Sequence, residues 1–120
     1  MTPGDAFYLN VLDSHRYFVL HVQQNPIERV IVLNFTSYHP GKCDETCIVT
    51  PAEYNGLDHT SVISYRHGML LEGDELKNFA PNIGRKLPSV ANSILKKIRD
   101  GALTSPYTPR KIKKELAALP

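Results

Sequence analysis

Apolar positions along this chain fall into two rhythms. Up to about residue 72 they come in short β-branched or alternating runs cut by polar turns; beyond residue 88 they recur at helical spacing. The longest run, Val30-Ile31-Val32-Leu33, is too short and too rich in β-branched residues for a helix. It predicts a buried central strand within Arg29–Ser37. Asp5–Leu12 alternates Phe7, Leu9 and Val11 with Tyr8 and Asn10, which predicts a first strand. Arg16–Gln23, with Tyr17, Phe18, Val19, Leu20 and Val22, predicts a second. The turn Gln23–Pro26 is too short for a crossover helix, so the strands it joins are expected to be antiparallel. Thr46–Thr50, Ser61–Tyr65 and Met69–Leu71 predict further short strands, separated by loops containing Pro40-Gly41 and Asn55-Gly56. Residues 73–87 contain Pro81 and Gly84 and read as a loop with one turn of helix within it.

The remainder reads as two helices. In Pro88–Asp100, Val90, Ala91, Ile94, Leu95 and Ile98 form one apolar stripe, Pro88 suits the first position and Gly101 suits the stop. The second runs from Thr108 as N-cap and Pro109 as first residue to about Leu119. It buries Ile112, Leu116 and Leu119 and turns Arg110, Lys111, Lys113 and Lys114 outward. The expected fold is a single α+β domain: a small, partly closed antiparallel barrel over about 4–72, a loop over 73–87, and helices over about 88–100 and 109–119.

Composition narrows the class. Hydrophobic residues make up 42% of the 120, too many for a disordered chain. No apolar run approaches the roughly 20 residues of a membrane span, and Met1–Asp5 lacks the features of a signal peptide. Two cysteines are too few for a secreted disulfide scaffold, so a cytoplasmic protein with reduced thiols is expected. Charge is divided. Residues 1–83 carry five basic and ten acidic residues, a net of −5; residues 84–120 carry nine and two, a net of +7. A basic C-terminal part facing nucleic acid and a merely solvated helical surface are both consistent with this.

Candidate chemistry collects where the central strand ends. Asn34, Thr36 and Ser37 follow the apolar run, and Arg16 opens the neighbouring antiparallel strand, so Arg16 and Thr36 are expected on one rim. A guanidinium beside a hydroxyl suits a phosphodiester, since both donate to oxygens on which charge accumulates. His15 offers a group that moves protons near neutral pH. The plain alternative is that Thr36 and Ser37 only start the loop and Arg16 pairs with Asp13 or Asp44. His39, Cys43 and Cys47 offer three metal ligands but would need Asp44 or His59 as a fourth, and a strand position favours burial of Cys47. Neither cysteine precedes a helix in a way that would activate it as a nucleophile. His59, Ser61, Tyr65 and His67 flank the fifth strand and offer further groups for the same rim, the plainer role of each histidine being that of a satisfied surface residue.

Gly4-Asp5 before a strand, Arg16 leading an apolar strand, an aliphatic run ending in Thr36-Ser37, the Ser61-Val62-Ile63-Ser64-Tyr65 strand and a terminal helix together resemble the PemK/MazF-like toxin family over residues 4–100. The resemblance implies an SH3-like or CcdB-type barrel. It also implies a sequence-selective endoribonuclease that works without metal or cofactor, forms a homodimer and is neutralised by a cognate antitoxin. By the same resemblance the catalytic Arg falls on Arg16 and the catalytic Thr on Thr36, with Ser37 beside it. Tyr17 stands where the family usually has Pro, the loop before Arg16 is shortened to Asp13-Ser14-His15, and the second basic helix lies beyond the family's usual end. This is the pattern of a divergent branch. A barrel that binds RNA or a protein through its basic helices without cleaving is the alternative.

Overall fold

In the computed structural model, which describes residues 1–10 and 15–118, the chain forms seven strands and three helices. In order these are β1 (Ala6–Leu9), β2 (Arg16–Gln23), β3 (Arg29–Ser37), β4 (Ile48–Val49), β5 (Ser61–Ile63), β6 (Met69–Glu72), α1 (Gly73–Phe79), β7 (Ile83–Leu87), α2 (Asn92–Thr104) and α3 (Arg110–Ala117). The sheet is antiparallel in the order β4-β5-β3-β2-β1-β7. β3 has a divided edge: Arg29–Val32 pairs with β6, and Phe35–Ser37 pairs with β5.

Its unbroken apolar run follows from burial on both faces. Ile31, Leu33 and Phe35 join Phe18, Leu20 and Ile63 in a core covered by Ile98 of α2 and by Ile112 and Leu116 of α3. Val30 and Val32 join Phe7, Leu9, Val19 and Leu71 in a second cluster, flanked by Leu76 and Phe79 of the α1 segment. The two clusters hold β3 rigidly, and its C-terminal end is therefore a fixed mounting for side chains.

Several expectations change. Residues 73–87 are not a loop but α1, a 3₁₀ turn at Ala80–Asn82 and β7, which pairs with β1. β7 carries exposed Arg85 and Lys86 on the sheet edge, so it lacks the apolar signature of an interior strand. β4 is only two residues long, and Tyr65 leaves β5 for a 3₁₀ turn. The helix expected over 88–100 starts at Asn92 and continues through Gly101 to Thr104. Gly101 is there for space rather than termination: a Cβ would lie 2.3 Å from the Tyr65 hydroxyl, itself donating to the Ile98 carbonyl at 2.7 Å. In α3, Pro109 takes the N-cap position, one residue later than expected, and Thr108 is buried without capping. Val11 to Ser14 and Leu119 lie outside the described residues. Among those described, no helix is long and apolar enough to cross a membrane.

Candidate functional site

Register decides which groups meet at the end of β3. Arg16 lies opposite Phe35, and Thr36 opposite Val62. Cross-strand partners share a face, as do alternate residues of one strand. Ser37 is therefore on the face of Arg16, while Thr36 belongs to the other. Of the two hydroxyls singled out by sequence, Ser37 is the one the register places with Arg16. A small cleft of about 80 Å³ on this rim is lined by His15, Arg16, Thr36, Ser37, His59 and Ser61.

Across it runs a chain of polar contacts. Ser37 Oγ is 2.8 Å from His59 Nε2, His59 Nδ1 is 2.5 Å from Asp58 Oδ1, and Asp58 Oδ2 is 3.4 Å from Arg16 Nη2. The hydrogen bond with His59, reinforced by the Arg16 charge, holds the Asp58 carboxyl below the usual carboxylate range. An ionised Asp58 can only accept, so Nδ1 of neutral His59 carries the hydrogen and Nε2 is left to accept from Ser37. The loop bearing Asp58 and His59 is anchored from beneath. Leu57 is buried, and Tyr54 stacks on Phe35 at 5.4 Å and donates to the Pro88 carbonyl at 2.5 Å. Burial pushes the Tyr54 hydroxyl up to about 12, so it stays a neutral donor. Arg16 is mostly buried, and its Nε has no hydrogen-bond partner among the described residues. Its guanidinium sits 5.6 Å from the Tyr8 ring centroid, and Arg85 of β7 lies 4.7 Å from the same ring. Together these groups present positive charge, a hydroxyl, and an imidazole able to take a proton from Ser37 or from a bound hydroxyl.

On the other side of the strand end lies a larger cleft of about 620 Å³. Thr36, His39, Lys42, Arg66, His67 and Tyr107 line it, and His15 borders both clefts. Ser64 Oγ is 2.8 Å from His67 Nδ1. The basic residues of α3 line neither cleft. Arg110, Lys111 and Lys114 are exposed and Lys113 is half-buried, behind the buried stripe of Ile112 and Leu116.

His39, Cys43 and Cys47 do not converge: Cys47 is buried, and Cys43 Sγ donates to the His39 carbonyl. Among the described residues no three His, Cys, Asp or Glu side chains are grouped to hold a metal ion. Burial pushes the Cys47 thiol up, which suits a core residue. Sequence reasoning offered His59 and Ser61 for this rim, and both line the smaller cleft; it passed over Asp58, Arg85 and Tyr107. The legible signal was the Asp58-His59 pair directly before the β5 strand that must dock beside Ser37. No protein-family model matches this chain, and no characterised protein or solved structure is significantly similar to it; nothing in those comparisons identifies a PemK/MazF family.

Proposed function

We propose that the chain is a PemK/MazF-like endoribonuclease, its sheet curled as an SH3-like or CcdB-type barrel, cleaving RNA at the rim formed by Arg16, Ser37, Asp58 and His59. The observation that carries this reading is the continuous contact chain from Ser37 through His59 and Asp58 to Arg16. In cleavage by transesterification the ribose 2′-oxygen attacks the adjacent phosphorus, its proton passes to a base, and the 5′-oxygen leaves with a proton from an acid. The products are a 2′,3′-cyclic phosphate and a free 5′-hydroxyl. His59 is the base, its tautomer set by Asp58. Arg16 stabilises the charge on the phosphorane oxygens. Ser37 yields His59 to the substrate hydroxyl and donates to a phosphate oxygen, and Thr36 lines the same cleft. His15, bordering both clefts, supplies the leaving-group proton. No step needs a metal or cofactor. Cytoplasmic location, a homodimer and a neutralising antitoxin belong to the same proposal.

The test is incubation of the purified chain with a long single-stranded RNA in EDTA, beside Arg16→Ala and His59→Gln. Cleavage by the parent, lost in both variants, supports the reading; an inert parent removes it. A substrate with a 2′-deoxy residue at the scissile position must resist cleavage, because a cut there would need a nucleophile other than the ribose 2′-oxygen. A second reading, RNA binding without cleavage, is favoured by exposed Arg110, Lys111 and Lys114 on α3. It predicts salt-dependent binding that weakens when these lysines and the arginine are neutralised.

A further inference from the structure

We infer that the 620 Å³ cleft is a subsite for single-stranded RNA, with Tyr107 as a platform on which one unpaired base stacks. This rests on the reading of RNA as substrate, and it concerns the groups that hold the strand rather than those that cut it.

Tyr107 lies in the short link between α2 and α3 and is 48% exposed, one of three large apolar side chains left on the surface among the described residues. An aromatic so exposed contributes little to the core, yet its position is built with care. Its backbone N–H donates to Ser105 Oγ at 3.1 Å. Ser105 is fully buried and its hydroxyl donates to Asp44 Oδ2 at 2.6 Å. Asp44 Oδ1 in turn accepts from the Thr46 N–H at 3.0 Å and from the Thr46 hydroxyl. The link that carries Tyr107 is thereby fastened to the loop that leaves β3. Arg66, from the 3₁₀ turn after β5, places its guanidinium 4.8 Å from the Tyr107 ring centroid.

Charge in the cleft fits a phosphate chain. Lys42 and Arg66 bring cations to the lining, and the imidazoles of His15, His39 and His67 stand beside them. The one carboxylate in the lining among the described residues, Asp44, is already occupied by three hydrogen bonds from Ser105 and Thr46. A stacked aromatic and guanidinium beside cations is the pattern by which proteins hold unpaired bases with little sequence preference. A duplex keeps its base faces hidden in the stack and has none to offer. Thr36, Ser37 and His15 border this cleft as well as the smaller one, so a strand stacked on Tyr107 leads to the rim of Arg16 and His59.

The experiment measures binding of a single-stranded RNA carrying 2′-O-methyl groups throughout, which cannot undergo transesterification, by fluorescence anisotropy on the full-length chain. Tyr107→Ala and Arg66→Ala should each weaken binding about 5- to 100-fold, the range reported by loss of one base-stacking contact. Tyr107→Phe should bind within about twofold of the parent, and the same sequence annealed as a duplex should bind no better than Tyr107→Ala does to the single strand. Circular dichroism of each variant confirms folding, and Arg66→Ala carries the test should Tyr107→Ala fail to fold. Folded variants that bind as tightly as the parent, or a parent that does not bind, overturn the inference. If unmodified RNA is cut while Tyr107→Ala changes neither Kd nor KM, the subsite falls and the nuclease stands. If Tyr107-dependent binding is found without cleavage, the subsite stands and the nuclease falls.

Discussion

At each end of β3 an arginine faces a carboxylate, Arg29 on β3 itself and Arg16 on the neighbouring β2, and the two pairs are built differently. At the N-terminal end Arg29 Nε lies 3.1 Å from both oxygens of Glu115, with side-chain exposures of 25% and 14%. That pair is closed: it ties the central strand to α3 and leaves neither carboxylate oxygen free. At the C-terminal end Arg16 reaches Asp58 at 3.4 Å, and Asp58, 70% exposed, spends its other oxygen on His59. Here the carboxylate mediates between a cation and an imidazole, and the chain of contacts ends on a hydroxyl at a cleft. The difference teaches that the same two residue types tie strand to helix when both are half-buried and fully paired, and leave the carboxylate open to a third group when the pair is long, wet and shared.

The largest effect that would break this contrast is at His59. His59→Gln should lower RNA cleavage about 100- to 10,000-fold, the usual contribution of a general base, while the thermal midpoint stays with the parent. A variant that loses stability along with activity would show that the C-terminal pair is structural as well. Next comes Glu115→Ala, which leaves the Arg29 guanidinium half-buried without its partner. It should cost about 2 kcal/mol by urea unfolding, within the range for a charged group losing its hydrogen bond, with kcat unchanged. Asp58→Asn should do the reverse, lowering kcat and leaving the unfolding midpoint in place.

These two ends were not equally legible. Val30 to Leu33 announced the central strand because burial on both faces writes an unbroken apolar run. The antiparallel partner followed from the short turn, and the α3 stripe from its period. β7 was hidden because an edge strand with Arg85 and Lys86 outward carries no such run. Gly101 misled because a glycine that makes room for Tyr65 is written with the same letter as one that ends a helix. At the candidate site, the meeting of Arg16 with the end of β3 was readable from connectivity. The choice of Ser37 over Thr36 was not, since a one-residue difference in register exchanges the two faces. His59 and Asp58 come from a loop whose docking depends on Tyr54 and Leu57 packing beneath it, contacts with no local periodicity.

The register itself offers a smaller, sharper test. Ser37→Ala removes a hydroxyl from the face of Arg16 and should lower cleavage about fivefold, the worth of roughly 1 kcal/mol for one hydrogen bond. Thr36→Ala, on the opposite face, should lower it less. Equal losses, or a greater loss at Thr36, would return the hydroxyl role to the residue suggested by the family resemblance.

The smallest expected effect concerns pH and sets the two ends against each other once more. His21 on β2 has a buried Nε2 with no hydrogen-bond partner among the described residues. Burial lowers its pKa; Glu115 opposes this, and Arg99 and Arg29 add to it. The folded chain therefore holds His21 neutral where the unfolded chain takes up a proton. Its contribution is intact above the ordinary histidine range and is lost as pH falls through it. Urea midpoints should drop between about pH 7 and pH 5, and the drop should shrink in His21→Gln. It should grow in Glu115→Ala, because removing the carboxylate takes away the one charge that supports protonation of His21. The rim differs in its window: Asp58, held low by His59 and Arg16, keeps its charge through that interval. Acid weakening that vanishes in Asp58→Asn but persists in His21→Gln would place the sensitive pair at the wrong end of the strand.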